Sequence, residues 1–428
     1  MSTSQRTGTN LDRGSEELMA SMLSPKRDCQ CCSKEKAGST CSGEVVVITT
    51  PLSVEVFVRC GPMIGDAPLK EQVSKFYGCL PRLLERAGAK MRDVVLERVF
   101  FRDIAQDFEA FQAVRREVYL EHGVSGDELP AASYINQPPC NPLQAVELQI
   151  QAIIPNGNSK MTVESYPDLA PRVHKKVIRI GDRRHLYITN INGSNADGSF
   201  PTDFRAQSDN MFAKSAPMLA AHGMKFPQVL RTWCYLNDID RDYDQFNLSR
   251  NEFFAQEGVK RLPASTGIRA GLYPPEAQCS FDLYSLLDPE GVPVEVMHTP
   301  TLNEADEYGS AFSRGMKVVL PEKTVLYISG TASVDEVGAT VHLDDIRRQV
   351  ERMLLNVQEL LKAQNSTFAD LVQVITYLKR RSYLSTFEDV WTKWGLAGLP
   401  NSFVEAGVCR PDLLCELEAI AIIPHEAS

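Results

Sequence analysis

The sequence predicts an α+β protein built from three tandem units, each with the element order β-β-α-β-α-β. Length is the first observation, because 428 residues amount to about two to four typical domains. Repetition is the second: three helical patterns each begin with Gln and end in Gly or Asn, at residues 72–88, 207–223 and 349–365. The third observation is that the same landmarks recur after each helix, which is the sign of repeated structural units.

Each unit opens with a hairpin-like region upstream of its first helix. The three regions read VEVFVRCGPM, HLYITNINGS and VLYISGTASV, and they combine β-branched or aromatic residues with turn-forming ones. The first helix then shows apolar residues at helical spacing. Its last residue, Gly88, Gly223 or Asn365, suits the left-handed conformation that closes many helices.

The second half of each unit has three further landmarks. A β-like stretch ends 13 residues after the helix cap, at Phe101, Leu236 and Leu378. A second helical pattern leads to a Leu-Pro pair, with prolines Pro130, Pro263 and Pro400. A last alternating strand follows 17, 17 and 16 residues later, reaching Glu147, Ser280 and Glu416. Such equal spacing with little residue identity indicates three copies of one unit.

The landmarks also set the expected boundaries of the units. We expect unit 1 at residues 44–155, unit 2 at 176–287 and unit 3 at 308–428. The stretches 156–175 and 288–307 are rich in Pro, Asn and Asp and are predicted to be linkers. Residues 1–43 are rich in Ser, Thr, Lys and Gly, so we predict a disordered tail. This tail carries a cysteine cluster, formed by Cys29, Cys31, Cys32 and Cys41.

Composition and motifs exclude several functional classes. A net charge of −10 does not favour binding to nucleic-acid phosphates. No apolar run approaches the roughly 18 residues of a membrane span, and no secretory signal is visible, so we expect a cytoplasmic protein without a membrane partner. The cysteine cluster lacks the paired spacing of structural zinc sites. The seven histidines show no metal-binding spacing, and no phosphate-binding loop is present, so we expect neither a metal nor another cofactor.

The repeated unit, with Leu-Pro before a strand that ends in Glu-x-Glu-Ala-Ile-Ala, resembles the YjgF/Rid superfamily. The third copy is the most similar, through LYISGTASV, QVERMLLNVQELL, VITYL and CELEAIAI. Members of this superfamily generally form homotrimers of a chorismate-mutase-like fold, with clefts between subunits. The resemblance therefore implies a covalent pseudo-trimer, either monomeric or further assembled into a homo-oligomer.

A departure and a second resemblance narrow the expected activity. The small family members that hydrolyse imines or enamines use a Pro-Ala-Arg-Ser arginine, but this chain has Ala132, Ser265 and Ser402 at the matching positions. Three other segments resemble the chorismatase branch. They are the Ser-Gly-Thr-Ala-Ser stretch at 329–333, the Cys-Arg-Pro-Asp-Leu-Leu-Cys-Glu-Leu-Glu stretch at 409–418, and the Arg-Thr-Trp-Cys-Tyr strand at 231–235 with a Tyr-x-x-Phe-Asn-x-x-Arg motif at 243–250.

Two glutamates in the last strand are candidates for acid chemistry. Alternation places Glu416 and Glu418 on one face of the strand. Burial raises the pKa of a carboxyl and makes it a proton donor near neutral pH. We take Glu416 as the catalytic acid, while Glu147 at the matching place in unit 1 leaves open a solvated residue or an interface ion pair.

The chorismatase resemblance implies a set of substrate-binding residues around this acid. Arginines suit the carboxylates of chorismate, because a guanidinium grips a carboxylate with two hydrogen bonds. A glycine permits close approach, and a small thiol can contact the ring. The expected binding residues are Arg231, Tyr235, Arg250, Gly267, Arg314, Ser329, Cys409 and Arg410.

The resemblance thus implies a cofactor-independent chorismatase-like hydrolase or lyase. It would cleave the enolpyruvyl ether of chorismate to pyruvate and a hydroxybenzoate or a dihydroxycyclohexadienoate, and the sequence leaves the product open. Two alternatives stay open as well. One is a Rid-type enamine or imine deaminase, or a related enzyme acting on another small carboxylate. The other is a non-catalytic Rid-like protein that binds a metabolite.

Overall fold

A computed structural model describes residues 41–62, 67–167, 173–304 and 309–425 of the chain. Most of the predicted tail, with Cys29, Cys31 and Cys32, lies outside these residues. The last part of that predicted tail, residues 41–43, is not disordered but begins the first strand. The described chain forms three sheets, of five, six and six strands, each accompanied by helices.

Unit 1 contains five strands and two helices. The strands are β1 (Cys41–Thr49), β2 (Ser53–Pro62), β3 (Val94–Phe101), β4 (Ala131–Asn136) and β5 (Val146–Pro155). The helices are α1 (Leu69–Arg86) and α2 (Ile104–Glu121). The sheet order is β1-β2-β5-β3-β4, in which only β3 and β4 pair in parallel.

Unit 2 repeats this arrangement and adds an edge strand. Its strands are β6 (Met161–Pro167), β7 (His174–Ile180), β8 (Arg183–Asn192), β9 (Val229–Leu236), β10 (Ala264–Arg269) and β11 (Cys279–Leu287). Its helices are α3 (Phe204–Ala220) and α4 (Ile239–Gln256). The strand order is β10-β9-β11-β8-β7-β6, so the five strands other than β6 match those of unit 1.

Unit 3 has the same plan. Its strands are β12 (Val294–Val296), β13 (Gly315–Val319), β14 (Lys323–Ala332), β15 (Leu371–Leu378), β16 (Asn401–Glu405) and β17 (Cys415–Pro424). Its helices are α5 (Ile346–Lys362) and α6 (Leu384–Lys393), and the strand order is β12-β13-β14-β17-β15-β16. Short 3-10 turns lie at Met91–Asp93, Gly126–Glu128, Phe226–Gln228, Phe368–Asp370 and Arg381–Tyr383.

The structure confirms three tandem α+β units and extends the predicted element order. A short strand, β4, β10 or β16, follows each Leu-Pro pair before the last long strand. The stretches predicted to be linkers are in part wrong, because β6 and β12 lie within them and each extends the sheet of the following unit. Polar composition misled the prediction here, since an edge strand exposes one face and one edge to solvent.

The repeated first-helix residues have a shared structural role. Gly88, Gly223 and Asn365 adopt positive φ values of 78°, 69° and 57°, as expected for helix-closing residues. The glutamine of each helix joins it to the loop before the last strand. Its amide oxygen accepts a backbone N–H from Ala145, Gln278 or Leu414, at 2.9, 2.9 and 2.8 Å respectively. The equal spacing in the sequence therefore preserves a contact between a helix and a strand.

The helices cover one face of each sheet, and the opposite faces of the three sheets meet in the centre. In unit 1, for example, Val73 and Leu80 of α1 are buried in one cluster with Val56 and Leu148 of the sheet. In the centre, residues of all three units line a cavity of about 980 Å³, its open ends included. This arrangement places the edge of one unit against the next and leaves clefts between them.

Candidate active site

A cleft of about 460 Å³, its open mouth included, lies between units 2 and 3. Backbone contacts hold the two units together beside it. The N–H of Ser313 donates to the carbonyl of Pro263 at 3.0 Å, and that of Arg269 donates to Gly407 at 3.0 Å. Strand β10 and helix α4 supply the wall from unit 2, while β14, β17 and the loop before β17 supply the wall from unit 3.

Glu416 lies in this cleft on strand β17 with only 4% of its surface exposed. No hydrogen bond from the described residues reaches its carboxyl group. The carboxyl packs instead against Gly330, where an added Cβ would lie 2.9 Å from Glu416 Cδ and closer still to Oε1. Burial raises the pKa of Glu416 to about 8, and the charge of Glu418 adds to this, against the opposing effect of nearby arginines. The side chain therefore holds a proton at neutral pH.

Glu418 lies two residues further along the same face, in a different environment. Its carboxylate accepts hydrogen bonds from Arg231 Nη2 at 2.8 Å and from Trp233 Nε1 at 2.9 Å. Arg98 of unit 1 adds a third contact at 3.4 Å. Because these donors compensate its charge inside the protein, Glu418 is part of the packing between the three units, whereas Glu416 faces the cleft.

Three arginines line the same cleft as Glu416: Arg250, Arg314 and Arg410. Arg250, on helix α4, is 2% exposed, and its guanidinium lies 5.0 Å from the ring centre of Phe246. Its Nη2 donates to Asn247 Oδ1 at 2.6 Å, while its Nε is buried without a hydrogen-bond partner among the described residues. This orphaned donor needs an acceptor, and a ligand carboxylate would supply one.

The other two arginines are oriented by backbone carbonyls. Arg314 donates through Nε to the carbonyl of Asn303 at 2.7 Å and through Nη2 to its side-chain oxygen at 3.0 Å. Arg410 donates through Nη1 to the carbonyl of Gly338 at 2.7 Å. Both side chains line the cleft, and a guanidinium keeps its positive charge in proteins, which suits an anionic ligand.

Gly267 and Cys409 complete the part of the cleft near Glu416. A Cβ on Gly267 would contact the Tyr243 ring at 3.4 Å, so the glycine leaves room beside that ring. Burial raises the pKa of the Cys409 thiol to about 12, with a further contribution from Glu416. The thiol is therefore neutral near pH 7 and is a poor nucleophile there, which favours a packing contact over covalent catalysis.

The structure places the predicted site residues in two groups. Six of the nine line the cleft together: Glu416, Arg250, Gly267, Arg314, Cys409 and Arg410. The other three lie behind its wall, which does not match their expected role as binding residues. Arg231 pairs with Glu418, and Tyr235 points to the centre and donates to Asp282 at 3.4 Å. Ser329 is fully buried and joins the units by accepting from the N–H of Ser265 at 2.9 Å.

Seven further residues line the cleft and were not among the predicted site residues: Tyr243, Ser265, Phe312, Gly330, Ala332, Val334 and Leu413. Gly330 is the most informative of them. Strand β14 contains a bulge, in which Ser329 and Gly330 together face one residue of β17. A β-bulge often redirects a side chain beside an active site. A bulge leaves no reliable trace in a sequence, although the glycine itself was a signal for close approach.

No group of three or more His, Cys, Asp or Glu side chains is arranged to hold a metal ion within the described ranges. None of the helices that the structure describes is both long and apolar enough to cross a membrane.

Comparison with known proteins identifies the family. The model of the family called Endoribonuclease L-PSP matches residues 40–154 and 309–423, together more than half of the chain. The chain therefore belongs to this family, which lies within the YjgF/Rid superfamily. The two matched ranges correspond to units 1 and 3, while unit 2 shows the same strand plan in the structure.

Individual relatives agree with this membership. A RutC family protein of Pyrococcus abyssi is 26% identical over 97 residues, which cover 22% of this chain and 76% of that protein. A RutC family protein of Pyrococcus horikoshii is 28% identical over 97 residues, covering 22% and 77%. Among solved structures, a chorismatase aligns with a TM-score of 0.57 over 87% of this chain and 99% of its own, at 17% identity. At that identity, the likeness shows a common fold of three fused units.

Proposed function

We propose that this protein cleaves the enolpyruvyl ether of chorismate, with Glu416 as the general acid. One observation carries the proposal: a buried carboxyl, packed against Gly330 and with its pKa raised by burial to about 8, shares a cleft with three guanidinium groups. Chorismate is a dianion whose ether is cleaved only after a proton reaches the enol methylene carbon. The cleft therefore combines the two chemical features that this reaction needs.

In the proposed mechanism, the Glu416 carboxyl gives its proton to the methylene carbon, which becomes the methyl group of pyruvate. The adjacent ether carbon becomes an oxocarbenium centre, and the nearby carboxylate of Glu416 stabilises its charge. Attack by water on this centre, with return of a proton to Glu416, gives a hemiketal that collapses to pyruvate and a dihydroxycyclohexadienoate. Attack by the ring hydroxyl instead, with its proton passing to Glu416, gives a cyclic ketal. Loss of a ring proton with cleavage of one ring C–O bond makes the ring aromatic, and the resulting hemiketal collapses to pyruvate and a hydroxybenzoate without net uptake of water.

The arginines contribute binding and orientation. In this proposal, Arg250, Arg314 and Arg410, which line the cleft, bind the two substrate carboxylates, and a guanidinium forms hydrogen bonds of fixed direction with each. Bound carboxylates also raise the pKa of Glu416 further, because they add negative charge to a buried site. Substrate binding therefore strengthens the protonated state of the acid before the reaction begins.

The alternatives receive less support from the site. A Rid-type imine deaminase would use the arginine that is replaced by Ala132, Ser265 and Ser402 in this chain. The family name refers to a ribonuclease, but a net charge of −10 disfavours RNA phosphates. A metabolite-binding protein would use the arginines and would have no need for a protonated carboxyl in contact with the ligand.

The decisive experiment measures pyruvate released from chorismate by the purified full-length protein. We expect turnover by the wild type and a loss of about 10²–10⁴-fold in kcat for Glu416→Gln, because this is the usual contribution of a general acid. Glu147→Gln is the matched control, since it changes the same strand position in unit 1, and it should retain wild-type turnover.

Further assays separate the alternatives. Imine hydrolysis measured with a semicarbazide trap tests the deaminase, and calorimetry with chorismate tests a protein that binds without turnover. Release of pyruvate at comparable rates by wild type and Glu416→Gln would reject the role of Glu416. Tight binding of chorismate with no pyruvate above background would reject the proposed reaction.

A further inference from the structure

Arg231 connects the centre of the pseudo-trimer with the cleft. It is 2% exposed on strand β9 of unit 2, and a single nitrogen, Nη2, makes two contacts. It donates to Glu418 of unit 3 at 2.8 Å and to the hydroxyl of Thr266 at 2.6 Å. Thr266 lies on β10, which forms the unit 2 side of the cleft. Arg231 therefore links a buried carboxylate of one unit to the cleft wall of another.

Thr266 carries this connection across the boundary between the units. Its hydroxyl oxygen also accepts the backbone N–H of Gly330 at 3.0 Å. Its methyl group lies beside the same glycine, 3.1 Å from the position that a Cβ would occupy there. Gly330 is the bulge residue on which the Glu416 carboxyl packs. One threonine side chain thus fixes the surface against which the acid lies.

The buried charges of this connection are costly in a core, so stability is a weak explanation for them. Replacing a buried ion pair with apolar residues of similar volume is often neutral or stabilising. Here Arg231 additionally has a buried Nη1 without a hydrogen-bond partner among the described residues. The ion pair therefore leaves one buried donor of Arg231 unsatisfied. We infer that the orientation of the guanidinium toward Thr266 and Glu418 matters more than its contribution to stability.

We propose that Arg231 and Thr266 are positioning residues that hold Gly330 against the carboxyl of Glu416 and so keep that carboxyl desolvated. The inference rests on the proposed function, because it concerns the acid of that reaction. It assigns Arg231 to the support of the acid instead of to the substrate. Loss of the Thr266 hydroxyl would release the Gly330 N–H, loosen the bulge and admit water beside Glu416.

Several charged or titratable groups lie around Glu416, of which Glu418 raises its pKa while Arg231, Arg314 and Arg410 lower it. Glu418 lies on the same strand and Arg231 on β9, whereas the remaining groups come from the surrounding loops and helix α4. These remaining groups are Tyr243, Arg250, Arg314, Cys409 and Arg410. Replacing Thr266 alters none of these charges, so a changed protonation of Glu416 in a Thr266 variant reports on geometry and solvent access.

The test compares Thr266→Val with Thr266→Ser. Valine keeps the shape and removes the hydroxyl, whereas serine keeps the hydroxyl. For Thr266→Val we expect kcat for pyruvate release to fall by about 10–100-fold, less than the about 10²–10⁴-fold contribution of a general acid, because the acid itself remains. KM should change by less than about threefold, because the arginines are untouched. The pH at which activity declines should also shift downward, because solvated Glu416 loses its proton more readily.

Thr266→Ser should retain at least about a third of the wild-type kcat and the wild-type pH profile, since it preserves the acceptor for Gly330. The matched control is Thr376→Val, which removes an equally buried hydroxyl whose partner is Asn401 Nδ2 at 2.9 Å, away from the cleft. This control should leave kcat unchanged. Equal losses in the valine and serine variants, or an unchanged kcat in Thr266→Val, would overturn the proposal.

A second measurement separates this inference from the proposed function. Infrared difference spectra between wild type and Glu416→Gln isolate the band of the protonated Glu416 carboxyl and need no turnover. We expect the pH midpoint of this band to be lower in the Thr266→Val background than in the Thr266→Ser background. If chorismate is not cleaved but this shift occurs, the positioning role stands and the proposed reaction fails. An identical midpoint in both backgrounds would reject the positioning role.

Discussion

Glu147 of unit 1 and Glu416 of unit 3 occupy the same strand position in two copies of one fold, yet their surroundings differ. Glu147 is 1% exposed, and Arg59 on the neighbouring strand grips it with two hydrogen bonds of 2.9 Å each. Glu416 is similarly buried, but the strand beside it presents Gly330 instead of an arginine. The carboxylate is thus part of the repeated scaffold, and its neighbour determines its chemistry.

The neighbouring strands differ in their register. In unit 1, β2 pairs with β5 without a break, and Arg59 alone faces Gln149. In unit 3, the bulge places two residues, Ser329 and Gly330, opposite the single residue Glu418. One inserted residue therefore replaces a compensating cation with a glycine, so no ion pair within the described part of the chain reaches the Glu416 carboxyl, which faces the cleft.

The cleft between units 1 and 2 shows a third outcome. Ser280 stands at the position of the glutamates, and the bulge in β8 presents Asn190 at a φ of 59°. Tyr134 follows Pro130 by four residues, just as Gly267 follows Pro263. Tyr134 therefore occupies, on β4, the position that Gly267 occupies on β10 in the cleft between units 2 and 3. A large ring thus fills the space that a glycine leaves open, and an acid is missing at the same strand position.

Among the substitutions that test the comparison of Glu147 with Glu416, the addition of a side chain at Gly330 should have the largest effect on activity. In Gly330→Ala, the new Cβ would overlap Glu416 Oε1, so the carboxyl has to move from its buried position. We expect kcat/KM for chorismate to fall by at least about 100-fold, because a catalytic group displaced by about 1 Å costs this much. Steady-state pyruvate release measures the loss, and circular dichroism verifies the fold.

Gly78→Ala provides the control for adding a methyl group. Gly78 lies in helix α1, has no positive φ, and has no neighbouring heavy atom within 4 Å of an added Cβ. Activity should be unchanged, with a gain of about 0.5–1 kcal/mol in stability. Equal activities for Gly330→Ala and wild type would show that close contact with Gly330 is not needed for the acid.

Removal of an arginine tests the anion-binding part of the cleft. Arg250→Met keeps an apolar stem beside Phe246 and removes the guanidinium. We expect KM for chorismate to rise by about 10–100-fold with a smaller change in kcat, because a hydrogen bond to a charged group contributes about 1.5–3 kcal/mol. Initial rates over a range of chorismate concentrations measure this division between KM and kcat.

Arg205→Met is the corresponding control. Arg205 is on helix α3 of the same unit and forms exposed ion pairs with Asp209 and Glu252. Such pairs contribute little, so both kinetic constants should stay near wild type. An unchanged KM in Arg250→Met would place the substrate carboxylates elsewhere in the cleft.

Much of the fold was predictable from the sequence, for physical reasons. The helix caps at Gly88, Gly223 and Asn365 require backbone conformations that few residues adopt, and the strands end at Phe101, Leu236 and Leu378 as predicted. The short strands after Leu-Pro were missed, because five or six residues contain too few alternations to separate a strand from a loop.

The site was predictable only as far as single strands define it. Alternation correctly placed Arg231 and Tyr235 on one face of β9. Whether that face meets the cleft or the centre depends on how three sheets come together, and no local pattern carries that information. The same limit applies to Glu416 and Glu418, which share one face of β17. No local pattern predicts that Glu418 contacts Arg231 while Glu416 packs against Gly330.

The effect of pH is the smallest of the expected changes, and it tests the difference between Glu416 and Glu147 most directly. The pKa of Glu416 is about 8 in the folded protein and is lower in the unfolded chain, so the folded state binds this proton more tightly. Its contribution to stability is therefore complete below about pH 4.5 and is lost as the pH rises to about 8. Activity that needs the acid should likewise fall about tenfold per pH unit above that value.

Thermal melting over pH 5 to 9 measures this contribution in wild type, Glu416→Gln and Glu147→Gln. We expect the Tm of the wild type to decline with rising pH relative to that of Glu416→Gln, whose neutral amide has no proton to lose. Glu147→Gln leaves Glu416 in place and should retain the wild-type decline, although its Tm should be lower because Arg59 loses a bidentate partner. Parallel curves for wild type and Glu416→Gln would mean that the Glu416 carboxyl does not carry a displaced pKa.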